Sequence, residues 1–196
     1  MTLGFLQRAM PLKKLSAVAA AVTLLGACQG GDADTAANAK NDDSAGSDGT
    51  VLTSAIGDVA ELSISSKLIA AAQLETALDG QGSYTVFLPT DDAWKAVEAA
   101  DRAAIESAEN RPQLVALLRQ HIAPGYVVAA DLDKGLSAKN GTVSLTTMGA
   151  APIALYRDGE NITLGKGTDA PKIVGTPIIA GNDVVYRIDR LIPPPK

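Results

Sequence analysis

The chain has 196 residues, of which 46% are hydrophobic and 4% aromatic, a composition typical of one globular domain with attachments. Its formal net charge of −5 argues against nucleic acid as a partner, because an acidic surface repels a polyanion. With one His and one Cys, the sequence excludes an intrachain disulfide and lacks the second His expected of a zinc or iron site.

The first predicted element is an export signal at residues 1–27. An uncharged apolar run of 13 residues, Leu15 to Ala27, is shorter than the roughly 20 residues that a membrane span needs and is typical of a signal peptide. Translation from Met10 would also leave a complete signal. Cleavage removes three of the 17 basic residues and no acidic residue, so 14 basic and 22 acidic residues remain, a net charge of −8. The three basic residues are Arg8, Lys13 and Lys14.

The signal ends in Leu24-Leu25-Gly26-Ala27-Cys28, which resembles the lipobox of bacterial lipoproteins. The resemblance implies cleavage before Cys28 and a diacylglycerol on its thiol, so Cys28 is the predicted lipidation site and lipid is the only predicted contact with a membrane. The alternative is an ordinary signal peptide followed by a free thiol. Gln29 differs from the Asp of the enteric inner-membrane retention signal. The predicted location is therefore the bacterial cell envelope, at the outer membrane on its periplasmic or surface face if the source is Gram-negative.

Residues 28–50 are predicted to be the lipidated Cys and a disordered tether. From Gln29 to Thr50 there is no large apolar side chain, so burial cannot offset the entropy lost on ordering. A tether of this length would have an r.m.s. span of about 25 Å. Residues 51–196 are the predicted folded domain.

Two helices are predicted at the start of the domain, divided around Ser63 to Ser66. Apolar residues recur at near-helical spacing on either side of this division, and Ser65 or Ser66 is the expected N-cap of the second helix. The first series is Val51, Leu52, Ala55, Ile56, Val59 and Leu62, and the second is Leu68, Ile69, Ala72, Leu74 and Leu78.

The stretch from Tyr84 to Leu88 is β-branched and aromatic and predicts a buried strand that ends at Pro89. Thr90 or Asp91 can then cap a helix, which would bring Phe87 and Trp94 close together in the core. Asp91 and Asp92 suit a helix N-terminus. An acid and base pair is the alternative, but adjacent side chains in a helical turn diverge.

Two further helices are predicted after this one. Asp101 is the expected cap of a short helix that runs to Ala108, and Pro112 suits the first turn of a helix that ends at Ile122, before Pro124-Gly125. One face of that helix carries Leu114, Leu117, Leu118 and His121. This apolar face predicts that His121 is a core histidine whose ring nitrogens bond to backbone or to a side chain. A ligand-facing His121 is the alternative.

The rest of the chain is predicted to form strands. Asn140-Gly141 predicts a hairpin between Leu136 to Lys139 and Thr142 to Thr147, and Asp158-Gly159 predicts one between Ile153 to Arg157 and Asn161 to Leu164. An extended pair is predicted from Lys172 to Val174 and from Ile178 to Ile179. The last strand, from Asn182, places Val184, Tyr186 and Ile188 on one face.

Three segments together resemble the fasciclin domain family. Ser83 to Trp94, the first signature, resembles T-V-F-A-P-T-x-x-A-F, with Leu88 and Trp94 as apolar exchanges. Leu117 to Gly125, the central landmark, resembles L-L-x-Y-H-V-x-P-G, with Gln120 in place of Tyr. Asn182 to Pro193, the second signature, resembles N-G-x-x-H-x-I-D-x-V-L-x-P, with Asp183 in place of Gly and Tyr186 in place of His.

This resemblance implies an α+β fold, a single fasciclin domain built as a wedge-like β-sandwich with a helical layer from the N-terminal half. It also implies a set of signature residues that are structural or take part in an interaction. These residues are Thr85, Phe87, Pro89, Thr90, His121, Pro124, Gly125, Asn182, Ile188 and Asp189.

The predicted function is non-enzymatic: adhesion, or interaction with an envelope or matrix protein or a polysaccharide whose identity the sequence does not give. No catalytic residue, metal ligand or cofactor is assigned, since the single His is predicted to be buried and Cys28 to carry lipid. The alternative function is a carrier of a small hydrophobic ligand, in a pocket between the helices and the β-layer.

Overall fold

Two β-sheets and a group of helices make up residues 49–138 and 141–193, the part of the chain that the computed structural model describes. One sheet has four strands in the order β2-β1-β7-β6, and the other has three in the order β3-β4-β5. The predicted α+β sandwich with a helical layer is confirmed. The predicted signal, Cys28 and the tether as far as residue 48 lie outside the described residues. Among the described helices, each is too short or too polar to cross a bilayer.

Three short helices open the fold: α1 (Leu52–Gly57), α2 (Ser63–Ala72) and α3 (Glu75–Leu78). Two were predicted, but Gln73 adopts a left-handed conformation (φ 56°) that ends α2 before α3 begins. The predicted caps of α2, Ser65 and Ser66, are also wrong.

The cap of α2 comes from a distant residue. The carboxylate of Asp91 accepts hydrogen bonds from Ser63 Oγ (2.6 Å) and from the backbone N–H of Ile64 (2.9 Å). Ser65 is buried, and its hydroxyl donates to the carbonyl of Pro89 at 2.7 Å and accepts from Trp94 Nε1 at 2.8 Å. These contacts join the first turn of α2 to the end of the first strand.

Strand β1 (Tyr84–Pro89) is the predicted buried strand, and it lies inside the four-stranded sheet. It pairs in parallel with β7 (Asp183–Ile188) and antiparallel with β2 (Ile122–Pro124). Phe87 lies opposite Tyr186 in this register, and their rings stack with centroids 5.4 Å apart. The two signatures therefore meet in adjacent strands.

Phe87 and Trp94 lie in different cores, so the predicted contact between them is wrong. Side chains alternate between the two faces of a strand. Val86 and Leu88 point into the core that contains Trp94 of α4 (Asp91–Lys95), whereas Phe87 points into the core between the two sheets. The helix that follows β1 packs on the first of these faces.

Helices α5 (Ala99–Glu106) and α6 (Arg111–Gln120) differ at their ends from the prediction. Asp101 lies in the first turn of α5, not at its cap. Helix α6 ends at Gln120 because Ile122 already pairs with Val86 as part of β2, a strand that the sequence did not predict.

The predicted hairpin at Asn140-Gly141 is wrong because its first arm is helical. Helix α7 (Ala129–Ser137) contains Leu136, whose buried side chain lies one turn from that of Leu132, in the core between the sheets. Asn140 lies outside the described residues.

Strands β3 (Thr142–Leu145), β4 (Ile153–Asp158) and β5 (Asn161–Leu164) form the smaller sheet by antiparallel pairing. The predicted hairpin at Asp158-Gly159 is confirmed, with Asp158 opposite Asn161 and Gly159 at φ 61°.

Strand β6 (Ile173–Ala180) replaces the extended pair predicted around Gly175 and Pro177. Both halves of β6 pair with β7, and the register shifts between Val174 and Ile178. Gly175 adopts φ 68°, and a Cβ on it would lie 2.1 Å from Nη2 of Arg187. The bulge therefore makes room for the Arg187 side chain.

We expect Phe87→Ala to lower the free energy of unfolding by about 3–5 kcal/mol, because it leaves a cavity and removes the ring stacked on Tyr186. Tyr126→Ala is the matched control: Tyr126 is 37% exposed, so its truncation should change stability by about 0.5 kcal/mol or less. Urea denaturation of both variants measures the difference. Similar losses in the two would contradict the assignment of Phe87 to the core.

Candidate functional site

The first signature residues are engaged inside the fold. The Thr85 hydroxyl donates to the carbonyl of Gly125 (2.7 Å) and accepts from the N–H of Val127 (3.0 Å). Thr90 donates its N–H to the carbonyl of Ile188 (3.0 Å), and its hydroxyl accepts from Ala93 N–H, the predicted cap of α4. Phe87 is fully buried and Pro89 accepts from Ser65. These contacts join β1 to its neighbours. The hydroxyl groups of Thr85 and Thr90 are therefore engaged within the fold and do not point towards a ligand.

The second signature is engaged in the same way. Asn182 Nδ2 donates to the carbonyl of Gly82 (2.7 Å) and to Ser83 Oγ (2.9 Å). Asp189 Oδ1 accepts from Lys172 N–H at 2.7 Å, and Ile188 is fully buried. The structure therefore brings the two signatures together as a structural joint.

In the central landmark, Pro124 is exposed at the end of β2 and Gly125 adopts φ 112°. His121 is 1% exposed and follows the last residue of α6. Its Nδ1 lies 2.8 Å from the carbonyl of Leu117, which can only accept, so Nδ1 carries the proton. Its Nε2 accepts from Ile192 N–H at 3.1 Å. Burial lowers the pKa of His121 to about 4, and the hydrogen bond to Leu117 opposes this decrease. His121 is thus neutral and ties the end of α6 to the C-terminal segment.

Gln120 makes a second tie at the same end of α6. Its side chain is buried, donates to the carbonyl of Ala151 (2.8 Å) and accepts from Ala151 N–H (3.3 Å). A Cβ on Gly149 would lie 2.8 Å from the Cα and 2.9 Å from the backbone nitrogen of Gln120, so only glycine fits there. Thr147 supports this loop by donating its hydroxyl to Ala151 O at 2.6 Å. The loop 147–151 is therefore fixed against α6.

An open groove of about 1000 Å³, here called the α6 groove, lies beside these two ties. It runs between α5 and α6 on one side and residues 148–150 and 191–193 on the other. Its charged lining residues are Asp101 of α5 and Arg119 of α6. Large apolar side chains supply most of its walls: Val97, Ile105, Val115, Leu117, Met148 and Leu191. The groove is thus the described surface best suited to an apolar ligand.

A second, polar pocket of about 500 Å³ contains the Asp91-Asp92 pair. Asp91 is engaged with α2, whereas Asp92 forms an exposed ion pair with Lys95 at 3.0 Å, so the two carboxylates have different partners. Arg187 crosses the pocket to Glu61 at 2.6 Å. Within the described ranges, no three His, Cys, Asp or Glu residues are grouped to hold a metal ion.

Sequence reasoning did not find the α6 groove. Its walls come from four separate segments, and no spacing along the chain connects Val97 with Met148 or Leu191. One signal was present: Gln120 replaces an aromatic residue in the central landmark, and Gly149-Ala150 supplies the small residues that it packs against.

The fold and its surface define an α+β sandwich domain whose distinctive polar side chains are used internally and whose open groove is apolar. The sequence model of the Fasciclin domain matches residues 60–194, and the chain belongs to this family. Protein sll1483 from Synechocystis sp. (strain ATCC 27184 / PCC 6803 / Kazusa) is 32% identical over 127 residues, which are 65% of this chain and 64% of that protein.

A similar fold occurs in the FAS1 domain pair of the insect cell adhesion molecule Fasciclin I. That similarity has a TM-score of 0.65 at 17% identity and covers 74% of this chain and 51% of the other. The chain therefore spans less than two-thirds of each of these two relatives.

We expect the free energy of unfolding to fall as the pH drops below about 6.5. The pKa of His121 is about 4 in the folded chain and 6.5 when exposed, so the unfolded chain binds more protons between these values. The contribution of His121 to the free energy of unfolding is roughly 3 kcal/mol in total. This contribution is fully present above pH 6.5 and is lost as the pH falls towards 4. Urea denaturation at a series of pH values measures it.

His121→Gln is the control, because glutamine does not titrate in this range. The variant should be less stable at neutral pH, and its stability should fall less steeply towards pH 4 than that of the parent chain. Carboxylates titrate in both proteins and cancel in the comparison. Parallel pH profiles would show that His121 is not held neutral by burial.

Proposed function

We propose that this chain is an envelope-anchored fasciclin-domain lipoprotein that acts as a non-enzymatic adhesion or interaction module for a protein or polysaccharide of the envelope or matrix. The observation that carries the proposal is the match of residues 60–194 to the Fasciclin domain. Fasciclin domains are in general adhesion-related interaction modules, and the structural relative Fasciclin I is a cell adhesion molecule.

The state of the polar side chains supports a binding role over a catalytic one. His121, the only histidine, is buried and neutral, with both ring nitrogens bonded to backbone. Asp91 caps a helix, and Asp92 is paired with Lys95 at the surface. A general base must reach a substrate, whereas His121 and Asp91 are both engaged in hydrogen bonds within the fold.

Anchoring rests on the sequence around Cys28. A lipid on this thiol would hold the domain to a membrane through the tether of residues 29–50, which allows it to reach partners away from the bilayer. The net charge of −8 after signal cleavage disfavours adsorption of the domain itself to anionic lipid.

A second candidate function is the carriage of a small hydrophobic ligand. The observation that favours it is the α6 groove, which is large enough for a small molecule and has two charged residues in its lining. An adhesion surface for a macromolecule does not require a groove of this depth.

We expect Cys28→Ser to move the protein from the membrane fraction to the soluble fraction without changing its melting temperature, because residue 28 precedes the domain. In a deletion strain that is supplied with the Cys28→Ser variant, surface attachment and matrix retention should stay as low as in the deletion strain alone. Cell fractionation and an attachment assay measure the two effects. Full attachment by cells that carry the released variant would contradict an adhesion role that depends on anchoring.

For the carrier function, we expect the domain of residues 51–196 to retain an apolar adduct when it is purified from a bacterial host. Native mass spectrometry compared with the mass of the denatured protein measures the adduct. Masses that agree with the bare chain from several hosts would exclude stable carriage and leave the adhesion proposal untouched.

A further inference from the structure

We propose that the α6 groove binds a fatty acid, with the acyl chain lying along α6 and the carboxylate at the guanidinium of Arg119. This inference deepens the carrier function and rests on it. It names the ligand class that the groove recognises: a single apolar chain with one anionic head group.

The shape of the groove suits one extended chain. Its lining residues on α6 run from Pro112 to Gln120, which corresponds to about 12 Å along the helix axis. Ala116 on α6 and Ala104 on α5 leave space between the larger apolar side chains. The groove is therefore a mostly apolar trough with an open top, and its shape suits an extended chain better than a compact ring system.

The charges at the groove select the head group. The Arg119 side chain makes no hydrogen bond or ion pair with residues 49–138 and 141–193, and the residue is exposed, so the guanidinium donors are available. The other charged lining residue is Asp101, which lies on α5 and likewise has no partner in the described part of the chain. Arginine presents several N–H donors in a plane that matches a carboxylate, whereas Asp101 would repel one. The carboxylate is thus expected at the α6 end that carries Arg119.

Two buried hydrogen-bonded ties hold the opposite wall in place before a ligand arrives. Gln120 binds the backbone of Ala151 and so fixes residues 148–150, and His121 binds the N–H of Ile192 and so fixes residues 191–193. A preformed wall lowers the ordering cost that binding has to overcome. The residues that build the wall are therefore different from the residue that selects the head group.

The test uses the domain of residues 51–196 and three ligands of equal chain length: dodecanoate, dodecanol and dodecyltrimethylammonium. Competition against a fluorescent apolar probe measures their affinities. We expect dodecanoate to bind most tightly of the three, and the affinity of shorter fatty acids to rise up to about fourfold for each methylene added from octanoate to dodecanoate. Arg119→Gln should weaken dodecanoate roughly threefold and leave dodecanol unchanged, since the lost pair is exposed.

Matched variants separate the parts of the proposal. Lys67→Gln removes an exposed positive charge from α2, outside the groove lining, and should leave dodecanoate binding unchanged. Asp101→Asn removes the negative charge of the groove and should strengthen dodecanoate binding. Ala116→Trp should block all three ligands, whereas Ala103→Trp, on α5 but outside the groove lining, should block none. Circular dichroism confirms that the five variants, Arg119→Gln included, fold.

The outcomes distinguish this inference from the carrier function. Equal affinity for dodecanoate and dodecanol, with both blocked by Ala116→Trp, would overturn the head-group assignment and keep the carrier function. If dodecyltrimethylammonium bound most tightly, and Asp101→Asn removed this preference, the groove would select a cationic head group and the proposal would be wrong. Failure of all three ligands to bind would overturn both.

Discussion

The parallel pairing of β1 with β7 is the constraint on which the rest of the fold depends. It joins segments that are about a hundred residues apart, and the N–H of Tyr84 also donates to Asp183 Oδ1 at 2.6 Å across this distance. Both remaining strands of the larger sheet attach to this pair, β2 through β1 and β6 through β7. Because side chains alternate along a strand, the pair also divides the apolar residues into two cores, one under the helices and one between the sheets.

The positions that depart from the fasciclin pattern show how the fold accommodates polar exchanges. Tyr186 donates its hydroxyl to the carbonyl of Val127 at 2.9 Å, and Gln120 satisfies both ends of its amide on Ala151. Asp183 is buried, which raises the pKa of its carboxyl, although the hydrogen bond from Tyr84 opposes that rise. Each of these three exchanges finds a backbone partner, as most buried polar groups in proteins find a partner.

Local patterns were enough to predict β1 and β7, because their alternation and composition report burial directly. The pairing of both halves of β6 with β7 and the end of α6 were not predictable in this way. Helix α6 ends at Gln120 because Ile122 pairs with Val86 of β1. Helix α2 begins at Ser63 because Asp91, which lies 28 residues further along the chain, caps it. Helix α7 was different, because the spacing of Leu132 and Leu136 is a helical signal. The prediction gave more weight to the turn residues at 140–141 and therefore placed a hairpin there. The α6 groove had no local signal apart from Gln120 and the small residues Gly149-Ala150, since tertiary packing assembles its walls from separate segments.

His121 connects the part of the molecule that specifies the fold to the part suited to binding. Its ring sits where α6 meets β2, and its bond to Ile192 sets one wall of the α6 groove without lining it. Arg119, Met148 and Leu191 line the groove but take no part in the pairing of β1 with β7. Exchange of Arg119 would change the charge of the groove while the two signatures and the pairing of β1 with β7 remained intact. The same scaffold can therefore carry grooves with different lining residues, and the fold alone does not determine what such a groove binds.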